Sequence, residues 1–256
     1  MKRAAILLYG IGSYAAGMAS LVYMIAWLGN ILIPRSMDSP ATTSLGYAVI
    51  INLAVFLVFC VQHSLMARPA FKKWWTRIIP ESTERSTYVL FSGLALFAVM
   101  LCWQPMGGDI WRVENQAIRC AIHTLYVVGW GILVGSTFAL NHFDLFGLRQ
   151  VWLQFRNRPY THLDFATPGP YRLVRHPLYV GWLTLAWATP DMTIAHLAFA
   201  LGTTAYILVA IRWEERDLVE FHGELYEDYR QQTPMLIPKL GGGSEAKSPA
   251  PSSVGS

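Results

Sequence analysis

Tyr171-Arg172-Leu173-Val174-Arg175-His176-Pro177-Leu178-Tyr179-Val180-Gly181 gathers basic, imidazole, phenol and glycine groups directly before a long apolar run. That run extends from Leu178 to Ile211, is interrupted at Thr189-Pro190-Asp191-Met192-Thr193, and ends in Arg212-Trp213-Glu214-Glu215-Arg216. Its length decides how it folds. As a helix, Leu178 to Thr189 would be only ~18 Å long, too short for a hydrocarbon core of about 30 Å, whereas Ile194 to Arg212 would reach ~28 Å. A single helix through the whole run would be far too long, and Pro190 breaks it. The stretch is therefore expected to form a helical hairpin whose first arm spans or is re-entrant. Such a hairpin returns Glu214 to the membrane face that carries His176. Irregular backbone at that depth is tolerable where protein or a cavity covers it.

Working outward, the rest of the chain is also written for a bilayer. Of 256 residues, 54% are hydrophobic and only 14% charged, against about 25% charged in soluble domains. Apolar runs at Ala4 to Ile33, Leu45 to Met66, Thr87 to Trp103 and Ala117 to Leu140 read as four spanning helices. The expected fold is all-α: a multi-pass membrane helix bundle of four spanning helices plus the C-terminal helical hairpin. Residues 1–140 are the transmembrane region and 141–240 the cytosolic loop, hairpin and C-terminal region. The Gly/Ser/Pro/Ala stretch 241–256 reads as a disordered tail. Val219 to Tyr229 reads as a surface or interfacial helix.

Charge placement sets orientation. Lys2-Arg3, the segment with Arg68, Lys72, Lys73, Arg77 and Arg85, and the segment with Arg149, Arg156 and Arg158 alternate with poorly charged loops. The positive-inside rule puts them in the cytoplasm, so the hairpin ends face the cytoplasm. The net charge of +4 is a footprint of membrane orientation, with no basic and aromatic interleaving for nucleic acid. Cys60, Cys102 and Cys120 form no C-x-x-C and read as buried free thiols, so no metal site is expected. Gly131-x-x-x-Gly135 suggests close helix packing, and His123 a satisfied structural histidine.

The chemistry-bearing residues lie at span ends. Pro177 suits a first helical position, and the helix after it offers free N–H groups to an anion, with Arg175 adding charge. Tyr179 lies three residues beyond His176, so the two share a face, and Gly181 leaves room for a ligand or a second backbone. Glu214 and Glu215 point about 100° apart on a helix; one is expected to face a ligand while the other pairs with Arg212 or Arg216. Taken alone, Arg-His-Pro also reads as interfacial snorkelling with a helix cap, and the acidic doublet as a solvated helix end. A ligand wanting both an anion site and carboxylates is zwitterionic with hydroxyls, and S-adenosylmethionine fits that description.

Arg175-His176-Pro177-x-Tyr179-x-Gly181, followed by Glu214-Glu215, Gly223-x-x-Tyr226-x-x-Tyr229 and Pro234 to Pro238, resembles the isoprenylcysteine carboxyl methyltransferase and phospholipid methyltransferase superfamily. The whole chain, including Gln62-His63-Ser64-Leu65-Met66-Ala67-Arg68-Pro69, Glu84-Arg85-Ser86-Thr87-Tyr88 and Asn141-His142-Phe143-Asp144-Leu145-Phe146-Gly147-Leu148-Arg149-Gln150, is more closely similar to bacterial membrane-bound methanethiol S-methyltransferases. That resemblance implies S-adenosylmethionine as cofactor, a small thiol as acceptor, and Arg175, His176, Pro177, Tyr179, Gly181, Glu214 and Glu215 in the cofactor pocket. Thiolate, not thiol, is the nucleophile, and the candidates for a nearby base are His142, Asp144 and His63. Two other readings stand beside this one. One is methylation of an isoprenylcysteine carboxylate or a phospholipid; the other is a transporter or ligand sensor that binds at His176 and Glu214 without chemistry.

Overall fold

A computed structural model describes residues 2–239 of the chain; the tail expected over 241–256 lies outside the described residues. The architecture is an α-helical membrane bundle. Helices α1 (Lys2–Gly29), α2 (Leu45–Ala67), α4 (Glu81–Cys102), α5 (Gln116–Leu140) and α9 (Ile194–His222) are each long and apolar enough to cross a bilayer. Shorter helices α3 (Pro69–Trp75), α6 (His142–Leu145), α7 (Leu148–Phe155), α8 (Pro177–Trp187) and α10 (Glu224–Gln232) decorate or complete it. Side chains such as Ile50 and Val58, more than 60% exposed on the lone chain, face where lipid would lie.

Two local departures from the sequence reading matter. The third spanning helix begins at Glu81 rather than Thr87, because Pro80 fits the cap position and Glu81 and Glu84 suit the positive end of the helix dipole. The hairpin's second arm runs on through Arg212 to His222, since nothing in that charged stretch breaks a helix until Gly223, whose φ is +59°. The expected surface helix over Val219 to Tyr229 is thus the end of α9 and the start of α10, split at that glycine.

The first arm is half helix and half extended chain. Helix α8 has 11 residues, about 16 Å of rise, and the chain beyond it becomes β2 (Asp191–Thr193). This strand pairs antiparallel with β1 (Asp109–Arg112), in the loop between α4 and α5. Val113 N donates to the Pro190 carbonyl at 3.0 Å and Ile194 N to the Gly108 carbonyl at 3.1 Å. The backbone freed at Pro190 is therefore satisfied within the protein, and the arm reaches the far end of the bundle without a full-length helix.

Close helix contacts run through glycine, though not the pair expected. An added Cβ on Gly93 would lie 3.0 Å from the Gly17 Cα, locking α1 to α4. Gly131 and Gly135 have open space around them; the close approach falls on Gly129 and Gly181, between α5 and α8. Likewise His123 is exposed on α5, and Cys102 and Cys120 are free but exposed.

The core is lopsided. Met24, Trp27, Val99, Trp103, Leu185 and Phe199 form a dry aromatic cluster at the end that carries β1 and β2. The arginine-rich loops gather at the other end, where Arg3 reaches Asn157 at 2.6 Å, Arg68 pairs with Asp217 at 2.9 Å and Arg85 Nε donates to the Leu145 carbonyl at 2.7 Å.

Candidate active site

The segment Arg175–His176–Pro177 turns the chain from a 3-10 turn at Gly169–Arg172 into α8, with Pro177 at the first helical position. Its backbone is held from outside: Arg175 N donates to the Pro234 carbonyl at 2.8 Å and His176 N to that of Met235 at 3.2 Å. The Pro234 to Pro238 segment is thereby part of the corner.

Two carboxylates from α9 close it. Glu215 Oε1 accepts from Arg175 Nε at 2.7 Å and from His176 Nε2 at 3.0 Å, across 40 and 39 positions of sequence. Both contacts are largely shielded, with His176 only 4% exposed. Donation to a carboxylate places the His176 proton on Nε2 and leaves Nδ1 as an acceptor. Arg175 Nη1 also donates to the Arg230 carbonyl at 3.0 Å and to that of Thr233 at 2.5 Å. Arg175 and Glu215 therefore pin α8, α9 and the C-terminal segment together. The partner of Glu215 is neither Arg212 nor Arg216.

Glu214 is used differently. Its Oε2 accepts from the Tyr179 hydroxyl at 2.7 Å, and among the described residues its second oxygen takes no hydrogen bond. The Tyr226 hydroxyl nearby is buried and has no partner among the described residues. Burial, with Glu215 and Glu214 alongside, pushes its pKa above the usual phenol range, so it stays a neutral donor. A buried polar atom with nothing to bond to is costly, and its place beside Glu214 is where a polar ligand would meet it. Tyr229, by contrast, is satisfied by the Tyr171 carbonyl at 2.6 Å.

The sequence candidates separate into groups. Pro177, His176, Tyr179, Glu214 and Glu215 come together; Gly181 faces away, its missing side chain making room for the α5 backbone, with Leu133 N 2.8 Å from an ideal Cβ. The donors expected at the start of α8 are mostly taken, because Tyr179 N and Val180 N both donate to the His176 carbonyl. His142 lies on the α1 side, its ring nitrogens bonded to the Tyr14 hydroxyl and Thr137 Oγ1 at 2.8 Å each, and stacked on Phe138. It borders an apolar cleft of ≈ 250 Å³ between α1 and α5, and burial lowers its pKa, keeping it neutral. Asp144 is tied to Arg149 at 2.9 Å, to Gln150 and to Tyr160. The structure thus places neither His142 nor Asp144 in the corner.

His63 does point inward. Its ring lies against Tyr88 and Ser92 of α4 and stacks on Phe59, while Ser64 meets the Tyr206 hydroxyl of α9 at 2.9 Å. Sequence reasoning quoted Tyr88 and Tyr226 only within motifs and gave them no place near the site, and it did not single out Ser92 or Tyr206. The signal available was spacing: Tyr206, Ala210 and Glu214 share a helix face at intervals of four, as do Arg85, Tyr88 and Ser92 at three and four.

Along nearly its whole length the chain is similar to proteins named methanethiol S-methyltransferase. It is 52% identical over 241 residues to that of Crocosphaera subtropica, covering 94% of each chain. The corresponding protein of Mycobacterium tuberculosis is 47% identical over 238 residues, covering 93% of this chain and 98% of that one. The chain belongs to the methanethiol S-methyltransferase family. A fainter likeness, 33% identity over 183 residues and 68% of this chain, is to nurim of Rattus norvegicus, of which 69% is covered. No family model and no solved structure matches. The corner at His176 and the acidic doublet form one polar cluster at the arginine-rich end of the bundle.

Proposed function

We propose that the protein transfers a methyl group from S-adenosylmethionine to methanethiol, giving dimethyl sulfide, at a site facing the cytoplasm. The observation that carries this reading is the meeting of His176 and Tyr179 with Glu215 and Glu214 in one shielded corner, in a chain with relatives of that name. Uncommitted groups at the corner fit the donor. The second oxygen of Glu214 suits its amino group or ribose hydroxyls, the Tyr226 hydroxyl is a free partner, and His176 Nδ1 is a spare acceptor. The sulfonium supplies an activated methyl group when bound.

The chain's own task is alignment. Methyl transfer to sulfur is an in-line displacement in which positioning alone is worth ~7–11 kcal/mol. Arg175 and Glu215 fix the corner that positions the donor, so their contribution is rigidity rather than direct recognition of its carboxylate. Purified protein in lipid nanodiscs, given S-adenosylmethionine and methanethiol, should produce dimethyl sulfide in the headspace. Glu214→Gln should weaken donor binding about 10- to 100-fold, the worth of a hydrogen bond to a charged group, while leaving the thermal midpoint in place. Donor binding without any sulfide product would favour a sensor; neither binding nor product would end the reading.

A further inference from the structure

We infer that the phenol–imidazole pair Tyr88–His63 is the acceptor half of the active site, with Tyr88 touching the thiol and His63 taking its proton through Tyr88. The inference rests on the methyltransferase reading above and assigns its acceptor side. Tyr88 Oη lies 2.9 Å from His63 Nε2 and 3.2 Å from Nδ1, and Nδ1 lies 3.1 Å from Ser92 Oγ. In the tautomer that turns Nδ1–H to Ser92, Nε2 is the acceptor that faces the phenol. The phenol oxygen keeps lone pairs for a further donor, and a thiol S–H is one.

The surroundings point the same way. Polar side chains on the inward faces of spanning helices are expensive, and apolar replacements would pack as well, so their presence marks a working site. Four of them, His63, Ser64, Tyr88 and Ser92, sit on α2 and α4 opposite Tyr206 of α9. Helix α9 meets α2 side chain to side chain, Tyr206 to Ser64 and Asp217 to Arg68. Tyr206, which meets Ser64, lies about two turns of α9 before Glu214, so the pair sits next along the bundle from the donor corner. Arg85, with its guanidinium carbon 5.1 Å from the centre of the Tyr88 ring, supplies positive charge where a thiolate develops. Phe59, stacked on His63, offers an apolar wall suited to a small alkyl group.

The step balances without a further reactant. The S–H bond breaks heterolytically, its proton passing to Tyr88 Oη as the phenol proton passes to His63 Nε2. A sulfur lone pair forms the new S–C bond while the C–S bond of the sulfonium breaks toward its sulfur. One proton then sits on His63 and leaves to solvent before the next cycle.

Thiol acidity provides the test. Ethanethiol and 2,2,2-trifluoroethanethiol are close in size, but the fluorinated thiol is far more acidic and needs little help to ionise. In nanodisc-held protein, His63→Gln should slow methylation of ethanethiol about 100-fold, the usual worth of a positioned base, and that of trifluoroethanethiol less than about 10-fold. S-adenosylmethionine binding should stay within about threefold of wild type, since the donor corner is untouched. Equal losses with both thiols, or no loss with either, would overturn the assignment. Should the His63 variant not accumulate, Tyr88→Phe keeps the ring packing, and the same pair of thiols then decides in the same way. If wild type methylates neither these thiols nor methanethiol, the methyltransferase reading fails and takes this inference with it.

Discussion

The two ends of the bundle each hold a histidine against a carboxylate, and they differ in what is left over. At the β-strand end, His196 is fully buried, with Nδ1 3.0 Å from Asp38 Oδ2 and Nε2 3.1 Å from the Ala186 carbonyl. Asp38 also accepts from Asn30 at 2.7 Å and from the Thr193 hydroxyl at 2.5 Å. Both ring nitrogens and both Asp38 oxygens have partners, and nothing there awaits a ligand. At the arginine-rich end, Glu215 is equally engaged, but its neighbour Glu214 has an oxygen to spare and Tyr226 has an unused hydroxyl. These two histidine–carboxylate clusters are told apart by satisfaction, not by composition.

The comparison breaks most visibly at Glu215. Glu215→Ala leaves Arg175 and His176 buried without their shared acceptor, and orphaning a buried ion pair costs ~3–5 kcal/mol. Thermal unfolding in detergent should fall by several degrees, and donor binding should fall with it because the corner opens. Unchanged stability would mean that Glu215, like Glu214, is there for a ligand.

Asp38 is the matching case at the other end. Burial alone would raise its pKa, but hydrogen bonds from His196, Thr193 and Asn30 and the charge of His196 outweigh that and hold it below the usual carboxylate range. A depressed folded pKa means stability that is present above the unfolded value, near 3.9, and lost as pH falls through the lower folded value. Wild type should therefore lose stability in acid below about pH 4. Asp38→Asn should be destabilised at neutral pH by about 2 kcal/mol and lack that part of the acid limb. Turnover per folded molecule should not change, and a fall in turnover would show that the two ends are coupled.

How much of this was legible from sequence follows the same division. The spanning helices and the hairpin could be read because hydropathy over a run of ~20 residues is a strong signal. The corner could be read because Arg175-His176-Pro177 and Glu214-Glu215 are dense in polar groups at span ends. Pairing within it could not: the choice of Arg175 over Arg212 or Arg216 for Glu215 depends on how far α9 continues, and that was set by Gly223. The strand pair was hidden because four residues at Asp109–Arg112 and three at Asp191–Thr193 are too short for a periodicity. The partners of His142 were hidden for a related reason. A histidine in a polar loop looks free in sequence, while Tyr14 and Thr137, which occupy its ring, lie in apolar runs.

The smallest expected effect sharpens the division between donor and acceptor sides. Tyr179 and Tyr88 are both inward-facing phenols, yet Tyr179 donates to Glu214 whereas Tyr88 contacts His63. Tyr179→Phe keeps the ring 5.5 Å from that of His176 and removes the one hydrogen bond that Glu214 accepts among the described residues. The loss should be about 1 kcal/mol, or roughly fivefold in S-adenosylmethionine affinity, with the thermal midpoint unmoved. Because that loss acts through the donor, ethanethiol and trifluoroethanethiol should suffer it equally, unlike the unequal losses expected for Tyr88→Phe. A Tyr179→Phe protein that spares the acidic thiol would instead put Tyr179 on the proton's route, and the line between the two halves of the site would have to be redrawn through Glu214.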